Sequence, residues 1–194
     1  MMNDYLYRTF FSDLPELHTA RLLLRRLRDE DIYDINEYAS REEVSAYLGW
    51  TAHLNLRETK GYLEFLQKRY RKGLHSEWGI TLAESGKVIG TIGFTTVDIT
   101  NESCELGYVL SSSYWGKGYM DEAVDAVLHV AFHRLEANRV TLTVLEENLP
   151  SIRFATRNGF RLEGREVNAL YVKGDYRTVC RMAMLKSEYI QTKT

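Results

Sequence analysis

The hydrophobic pattern of this chain changes from helical to strand-like near residue 77. Before that point, a short apolar run at 21–25 predicts a strand, and acidic residues at 29–31 favour a helix start because they suit the positive end of the helix dipole. A second helix is predicted over 57–72, where apolar residues recur at helical spacing up to Gly73. The chain therefore opens with one strand and two helices.

Beyond residue 77 the apolar positions mostly alternate, which is typical of strands. Strands are predicted over 78–83, 88–94, 103–110, 139–145, 160–171 and 176–185. Helical spacing returns over 119–137 and over 151–158. Because the first of these helices connects the strands at 103–110 and 139–145, we expect those two strands to be parallel, or splayed from parallel, with a right-handed crossover.

These elements predict an α/β fold with a mixed, largely antiparallel sheet. The chain has 194 residues, of which 44% are hydrophobic, and this is enough for one core. It contains two prolines, no low-complexity tract and no repeat, so no linker divides it. We expect a single domain over residues 1–194, with 1–18 as a candidate N-terminal extension.

Charge and cysteine content narrow the range of partners. A net charge of −2 gives no overall attraction to a phosphate backbone, so nucleic acid is not expected as a partner. Cys104 and Cys180 have no metal-ligand spacing, and we expect them to be small buried thiols in a cytoplasmic protein. No apolar run approaches the about 20 residues that span a membrane, and the first eleven residues lack a signal-peptide pattern. A membrane partner is therefore not expected.

Candidate chemistry centres on Gly116 and Gly118, which precede the helix predicted from Tyr119. Glycine lets bare backbone approach a ligand, and the unpaired N–H groups of a helix start favour an anion. Taken alone, Gly-x-Gly fits a structural turn equally well, and Lys117 fits a solvated lysine as well as a phosphate contact. The loop lacks the Gly-Lys-Ser/Thr ending of a P-loop and the third glycine of a dinucleotide fingerprint, so an ATP- or NAD-binding domain is the least favoured hypothesis.

Four segments, in order, resemble the GNAT superfamily of N-acetyltransferases, and specifically its ribosomal-protein N-acetyltransferase branch. They are residues 19–25, 105–110, 115–123 and 148–160 with the following Glu163 and Gly164. The resemblance implies the GNAT fold, in which the sheet splays at the CoA-binding strand and helices cover both faces. It also implies transfer of an acetyl group from acetyl-CoA to a primary amine, either a protein or peptide N-terminus or a small amine, by direct attack and without a metal.

By the same resemblance, backbone amides of the glycine loop bind the CoA pyrophosphate. The residues implied are Trp115, Gly116, Lys117, Gly118, Tyr119, Met120 and Asp121. Met120 stands where glycine or alanine is usual, and Asp121 where this branch commonly has threonine. An acid beside a phosphate is unfavourable unless it faces solvent or caps the helix, whereas backbone binding tolerates both changes unless a larger side chain obstructs the ligand. These two departures motivate an alternative function, a CoA-binding sensor or regulatory domain that has lost catalysis.

Strand alternation places Glu105 on one face with Gly107 and Val109, and Tyr108 on the other. An exposed sheet acid explains Glu105 without the resemblance; with it, Glu105 falls where this branch has a catalytic or water-ordering carboxylate. A carboxylate of pKa about 4.3 is a weak base for an amine. We therefore expect Glu105 to act through water or with a pKa raised by burial.

The remaining site residues also follow from the resemblance. A backbone N–H near Val109 would bind the thioester oxygen, with Leu110 beside the cofactor, and Asn148 would contact CoA. Many superfamily members have a tyrosine that acts as the acid, and that position is Ala155 here. The ribosomal branch commonly lacks this tyrosine too, and a serine is proposed as the acid in its place. The resemblance therefore implies that Ser151 protonates the thiolate. Ser151 fits the N-cap of a short helix equally well.

The acceptor is the least determined partner. We expect acceptor recognition at Trp50 and the loop to Leu56, and in the late loop at 168–175, where Tyr171 could stack or donate a hydrogen bond. The thirteen tyrosines fit a homodimer interface and a tyrosine-rich core equally well.

Overall fold

A computed structural model describes residues 3–192, so the first two and last two residues of the predicted domain lie outside the described residues. The helices are α1 (Asp4–Ser12), α2 (Ile32–Ala39), α3 (Glu42–Ser45), α4 (Leu56–Arg71), α5 (Tyr119–His129), α6 (Leu149–Arg157) and α7 (Lys186–Thr192). The strands are β1 (Leu17–His18), β2 (Leu22–Arg25), β3 (Glu77–Leu82), β4 (Val88–Asp98), β5 (Ser103–Leu110), β6 (Arg139–Leu145), β7 (Arg161–Val172) and β8 (Asp175–Leu185). None of the helices within residues 3–192 is both long and apolar enough to cross a membrane.

One eight-stranded sheet organises the fold, in the order β1-β2-β3-β4-β5-β6-β8-β7. Every neighbouring pair is antiparallel except β5 and β6, which are parallel. The α/β fold with a mixed, mostly antiparallel sheet is therefore confirmed. The parallel pair is the one that the intervening helix predicted, since a helical crossover returns the chain to the same end of the sheet.

Helices cover both faces of this sheet. On one face, the ring of Trp78 meets those of Phe10 and Phe94, at centroid distances of 6.3 and 6.0 Å. On the opposite face, Tyr62 of α4 donates its hydroxyl to the side-chain carboxylate of Glu77, at 3.1 Å. Because Glu77 and Trp78 are consecutive strand residues, their side chains leave the sheet on opposite sides. Helices therefore pack on both faces of the one sheet.

The expected N-terminal extension contributes a helix to the core. Asn3 caps α1 by accepting the N–H of Leu6 at 2.8 Å. Phe11, on the inner face of α1, is completely buried and packs edge-on against Phe94 at 6.2 Å. Residues 3–18 are therefore part of the folded unit, a contribution that the mixed polarity of this segment did not predict.

The helix predicted over 119–137 ends earlier than expected. After His129 the backbone continues as a short π-helix, Val130–Arg134, in which the N–H of Leu135 bonds the carbonyl of Val130 at 3.0 Å. This wider turn changes the spacing of side chains at the end of the helix. The helix predicted at 151–158 starts earlier than expected, at Leu149, because Asn148 caps it.

Phe11→Ala tests whether the N-terminal helix stabilises the whole fold. Removing a fully buried phenylalanine typically costs about 3–5 kcal/mol of unfolding free energy, and we expect a loss in that range. Urea denaturation followed by circular dichroism measures it. Tyr5→Ala on the same helix, where the side chain is 80% exposed, should change stability by less than about 0.5 kcal/mol. Equal effects of the two changes would contradict the integration of α1 into the core.

Candidate active site

The candidate site is a cleft where β5 and β6 separate. Their pairing covers Ser103–Glu105 against Arg139–Thr141, and beyond these residues each strand follows its antiparallel neighbour instead. The cleft at this opening has a volume of about 850 Å³. Its wall is built from β5, the loop that follows it, α5, α6 and the segment at 43–48. The predicted splay of the sheet is therefore present.

Backbone groups of β5 point into this opening. The N–H of Ser111 donates to the carbonyl of Ile89 at 2.8 Å, which makes this a hydrogen-bonded pair of the β4–β5 ladder. Such pairs alternate along an antiparallel ladder, so Val109 faces β4, and the N–H groups of Tyr108 and Leu110 face the gap. Unpaired backbone donors need a partner, and an extended ligand lying along β5 would supply one.

The glycine loop forms the end of the cleft at the start of α5. Gly116 and Gly118 adopt left-handed backbone conformations, with φ of 71° and 77°. Gly118 is the N-cap of α5 and has no side chain to occupy the first-turn amides. A Cβ at Gly116 would meet no atom within 4 Å, so the space above it is open to a ligand. This geometry fits the diphosphate of CoA, which backbone N–H groups at a helix start bind well.

Arg21, the residue before β2, and Glu122 of α5 hold this loop in place. The guanidinium of Arg21 donates to the carbonyl of Lys117 at 3.0 Å and to the carboxylate of Glu122 at 2.7 Å, and it lies 4.3 Å from the ring centre of Tyr119. Burial alone would raise the pKa of Glu122, but hydrogen bonds from Thr19 and Arg21 outweigh it and lower that pKa. The carboxylate of Glu122 therefore stays ionised at neutral pH, and its ion pair with Arg21 fixes the conformation of the loop.

The two unusual residues of the loop leave the ligand space free. Met120 is buried in the core, 8% exposed. Asp121 turns toward α6, where its carboxylate pairs with Arg157 at 2.8 Å and accepts from the side-chain amide of Asn158 at 2.8 Å. Arg157 also lines the cleft, so its ion pair with Asp121 holds a guanidinium at the opening of the cleft. The unfavourable charge that the sequence indicated at Asp121 is compensated within the protein.

Ser151 lies in the cleft beside a residue that the sequence did not indicate. Its hydroxyl is 2.6 Å from the hydroxyl of Tyr108, and burial raises the pKa of Tyr108 to about 12 while the hydrogen bond with Ser151 lowers it. Asn148 also lines the cleft and caps α6 by accepting the N–H of Ser151 at 3.2 Å. The interpretation of Ser151 as the N-cap was wrong, since Asn148 caps the helix three residues earlier.

Glu105 lies on the opposite face of β5 from Tyr108. The hydroxyl of Thr143 donates to its carboxylate, and Arg181 donates to the same hydroxyl and to Glu166. This chain of contacts crosses β5, β6, β8 and β7 and fixes the direction of the carboxylate. Glu105 remains half-buried, so water can reach it.

Lys117, Trp50 and Tyr171 were also predicted as site residues, but they do not line the cleft. Glu105 does not line it either. The ammonium of Lys117 lies 5.4 Å from the ring centre of Tyr114, and it is the carbonyl of Lys117 that Arg21 binds. Trp50 is half-buried against His53, with ring centres 5.3 Å apart, and Tyr171 is exposed against Tyr176 at 5.0 Å. Within residues 3–192, no group of three or more His, Cys, Asp or Glu side chains is arranged to hold a metal ion.

The other predicted residues of the loop and of β5 meet in the cleft. They are Val109, Leu110, Trp115, Gly116, Gly118, Tyr119, Met120 and Asp121. Sequence analysis missed Tyr108, Arg21, Glu122 and Arg157, whose contacts join residues 36 to 101 positions apart. No spacing signal in the sequence encodes these contacts.

Comparison with known proteins identifies the family. The acetyltransferase (GNAT) domain model matches residues 21–161. The chain belongs to the GNAT acetyltransferase family. The N-acetyltransferase p20 of Bacillus licheniformis is 32% identical to this GNAT chain over 176 residues, which are 91% of this chain and 99% of that protein. Spermidine N(1)-acetyltransferase of Escherichia coli K12 is 24% identical over 179 residues, 91% of each protein.

Solved structures share the fold. The ribosomal L7/L12 alpha-N-protein acetyltransferase RimL in complex with coenzyme A has a TM-score of 0.78 at 22% identity, covering 88% of this chain and 98% of that one. Spermidine N-acetyltransferase from Vibrio cholerae, with CoA and spermine, has a TM-score of 0.76 at 22% identity, covering 89% and 99%. This GNAT protein is an N-acetyltransferase that uses acetyl-CoA as its cosubstrate.

Gly116→Ala tests the loop as the binding site of acetyl-CoA. A left-handed conformation costs a residue with a Cβ roughly 1–2 kcal/mol, so the loop should relax and misdirect its amides. We expect KM for acetyl-CoA to rise about 5- to 30-fold with kcat little changed.

Gly86→Ala is the matched control for this change. Gly86 has a φ of 74° and, like Gly116, open space where an added methyl group would lie, but it belongs to the β3–β4 turn. It should lose similar stability and keep the wild-type KM. A wild-type KM in Gly116→Ala would overturn the assignment of the loop.

Proposed function

We propose that this GNAT protein acetylates primary amines by direct attack of the neutral amine on the thioester, with no covalent enzyme intermediate. The observation that carries this proposal is the splayed β5–β6 gap, which has Tyr108 and Ser151 on one side and Glu105 on the other. An acyl chain lying in the gap would have a donor for its oxygen, an acid for its sulfur and a carboxylate on the acceptor side.

The backbone donor for the thioester oxygen is proposed at Tyr108 or Leu110. The ladder alternation directs these two N–H groups into the gap, whereas that of Val109 is directed at β4. The proposed donor therefore moves from Val109 to its neighbours. A fixed backbone N–H stabilises the charge that develops on the oxygen without any side-chain movement.

Amine activation is assigned to Glu105 acting through water. Thr143 fixes the carboxylate, and partial exposure of Glu105 admits solvent to it. An alkylamine has a pKa near 10.4, so only about one molecule in 2,500 is neutral at pH 7, and a proton acceptor near the site raises the reactive fraction. The proton passes from the ammonium to water held by Glu105.

Departure of the thiolate is assigned to Ser151 with Tyr108 behind it. The serine hydroxyl would donate its proton to the sulfur and take one from the phenol of Tyr108, and the phenolate so formed would regain a proton from water once the products leave. Because burial raises the pKa of Tyr108 to about 12, the phenol is protonated at the start of each turnover throughout the neutral range. The pair thus replaces the tyrosine acid that Ala155 cannot provide.

The acceptor is proposed to enter on the face of Glu105, between the loop of Trp50 and the β7–β8 hairpin that carries Tyr171. The tip of that hairpin contacts the segment at 43–48, since the ammonium of Lys173 donates to the carbonyl of Ser45 at 2.7 Å. Protein N-termini and small amines both remain candidate acceptors in this proposal. The names of the related proteins include one of each kind.

A silent CoA-binding sensor was the alternative, and its motivation is weakened. Met120 is buried and Asp121 is paired with Arg157, so neither residue obstructs the loop. A thiol-release assay with acetyl-CoA and a panel of amines and Ala- or Ser-initiated peptides tests the main proposal. Turnover supports the enzyme; tight CoA binding by calorimetry with no turnover of any amine supports the sensor.

Three further proposals concern the whole protein. We propose a cytoplasmic location, because Cys104 and Cys180 are both free, buried thiols. We also propose a single domain, because one sheet contains all the strands from β1 to β8. A homodimer also stays a proposal, since tyrosines divide between the core and the surface. Buried examples are Tyr7, Tyr38, Tyr70 and Tyr189, and exposed ones are Tyr5, Tyr33, Tyr47, Tyr171 and Tyr176. Light scattering on purified protein determines the mass.

Ser151→Ala, Tyr108→Phe and their double variant test the acid pair. Each single change should lower kcat about 100-fold, the lower end of the usual contribution of a general acid. The double variant should lose little more, because both residues act through one hydrogen bond. Steady-state kinetics with KM for acetyl-CoA as internal control measure this. Fully additive losses would mean that the two hydroxyls do not work together.

Glu105→Gln tests the amine-activating carboxylate through the pH profile. At pH 7 we expect kcat/KM to fall about 100-fold, because the ammonium loses its proton acceptor. The deficit should shrink as pH approaches the amine pKa of about 10, where the acceptor arrives neutral. Glu84→Gln, in an exposed turn, is the control and should match the wild type. A deficit independent of pH would contradict the role in proton removal.

A further inference from the structure

Arg153 of α6 is a cation in the cleft wall that the protein leaves unpaired. It is an exposed residue that lines the cleft four positions before Arg157, which lines it as well. Within residues 3–192, no carboxylate lies within 4 Å of the Arg153 guanidinium, and this group makes no hydrogen bond or ring contact. Arg153 therefore keeps its charge and its N–H donors for a ligand.

Arg157, the neighbouring cation, is already used within the protein. Its guanidinium donates through two nitrogens to the carboxylate of Asp121, at 2.9 and 3.1 Å, and lies 5.7 Å from the ring centre of Phe154. This bidentate pair neutralises the charge of Arg157 and fixes the guanidinium beside the first turn of α5. Of the two arginines, Arg153 is therefore the one whose charge is available to an anion.

Glu43, on the opposite wall of the cleft, does not pair with Arg153 either. Its carboxylate accepts the hydroxyl of Ser112 at 3.0 Å, and the same hydroxyl accepts a hydrogen bond from Arg41 at 3.1 Å. Hydrogen bonds from its own backbone N–H and from Ser112 lower the pKa of Glu43, so this carboxylate is ionised at neutral pH without help from Arg153. Neither acid of the wall thus competes with a ligand for Arg153.

Coenzyme A presents two anionic groups, the diphosphate and the 3′-phosphate of its ribose. The start of α5 fits the diphosphate, because backbone N–H groups and the helix dipole favour an anion there. The 3′-phosphate is a monoester, and such a group carries a charge of about −1.5 to −2 at pH 7 on a single phosphorus. A guanidinium matches its oxygens with two parallel hydrogen bonds. The unpaired cation and the second anion are therefore chemically complementary.

The spacing of the two arginines fits this division of the ligand. Arg157 is anchored by Asp121 in the first turn of α5, beside the backbone N–H groups proposed to bind the diphosphate. Residues four apart share one face of a helix, with about 6 Å between their Cβ atoms, so Arg153 is next to Arg157 along the wall. Because only the ribose separates the 3′-phosphate from the diphosphate, a guanidinium adjacent to that of Arg157 is within reach of it.

We propose that Arg153 binds the 3′-phosphate of CoA and makes this protein select acetyl-CoA over acetyl-dephospho-CoA, which has the same diphosphate and thioester but lacks that phosphate. The inference rests on the proposed placement of the CoA diphosphate at the glycine loop. The 3′-phosphate takes no part in the reaction, so its binding stabilises ground state and transition state equally. Arg153 therefore lowers KM for acetyl-CoA and leaves kcat unchanged.

Calorimetry with CoA and dephospho-CoA tests this inference without any acceptor amine. The wild type should bind CoA about 5- to 15-fold more tightly, between the values for an exposed ion pair and for a charge-assisted hydrogen bond. Arg153→Gln should reduce the ratio of the two Kd values to about 1 by weakening CoA, while dephospho-CoA binding stays within about twofold of the wild type. Arg153→Lys keeps the charge but not the planar fork, so its ratio should be intermediate.

The pH and salt dependence of this ratio is a readout that a merely structural role would not move. A phosphate monoester has its second pKa near 6, so the 3′-phosphate loses most of its second negative charge as the pH falls from about 7.5 to about 5. The wild-type preference for CoA should therefore be smaller at the lower pH, and added salt should reduce it by screening. In Arg153→Gln the ratio should stay near 1 under all of these conditions.

Arg71→Gln is the matched control for the loss of an arginine. Arg71 is an exposed residue in the last turn of α4 and does not line the cleft, so this variant should keep the wild-type ratio. Lys117 of the glycine loop is the competing cation for the 3′-phosphate. A ratio that falls to 1 in Lys117→Gln and stays at the wild-type value in Arg153→Gln would overturn the assignment to Arg153.

The remaining outcomes separate this inference from the placement on which it rests. If Arg153→Gln weakens CoA and dephospho-CoA equally, Arg153 binds the diphosphate and the inference is wrong. Equal Kd values of the wild type for the two ligands would overturn it as well. If Gly116→Ala leaves the Kd of both ligands unchanged, it is the placement of CoA at the glycine loop that fails.

Discussion

The divergence of β5 from β6 is the constraint on which the site depends. A parallel pair that continued to Leu110 would satisfy every backbone group of β5 and leave no room for a ligand. Instead the ladder stops at Glu105, and the N–H groups of Tyr108 and Leu110 are directed at a gap. Each strand is stabilised on its other side, β5 by β4 and β6 by β8, so the sheet stays intact around the opening. The binding cleft is therefore part of the backbone topology, and side chains only adapt it.

The glycine loop and the acceptor face of β5 carry charges of opposite sign. At the glycine loop, the start of α5 and the cations Arg21 and Arg157 favour an anion, and Asp121 and Glu122 orient those cations instead of opposing the ligand. On the acceptor face lies the carboxylate of Glu105, which favours a cation. In the proposed reaction, a diphosphate and an amine would thus be drawn to different ends, which would set the direction in which the two substrates lie.

Much of this arrangement could be predicted from the sequence, because its causes are local. Alternation in 103–110 located β5 to the residue, and Gly116 and Gly118 located a loop that needs left-handed backbone. The resemblance to a family then supplied the ligand. What the sequence could not indicate were contacts between distant segments: Arg21 with Glu122, Tyr108 with Ser151, and Asp121 with Arg157. Each joins side chains whose proximity exists only after the sheet and α6 have assembled.

Helix ends show the same limit at shorter range. Ser151 has the chemistry of an N-cap, but so does Asn148, and the choice between them depends on how the chain leaves β6. Once Asn148 caps α6, the serine hydroxyl is released from capping and can bond Tyr108. Which of the two residues caps α6 therefore decides whether the Ser151 hydroxyl is available to Tyr108. Helix-capping preferences do not predict the distance between these two hydroxyl groups.

Strand register finally explains why one short strand can serve both halves of the reaction. Successive residues of β5 face opposite sides, so the proposed mechanism has Glu105 on the amine side and Tyr108 on the sulfur side, while the N–H groups between them lie in the plane of the sheet. A slip by one residue would exchange the two faces and place the carboxylate beside the thiolate. The irregularity between Phe94 and Thr96 of β4 lies opposite Glu105, and Thr95 donates to the carbonyl of Glu105 at 3.3 Å. A bulge at this point bends the strand and fixes its register where the chemistry requires it.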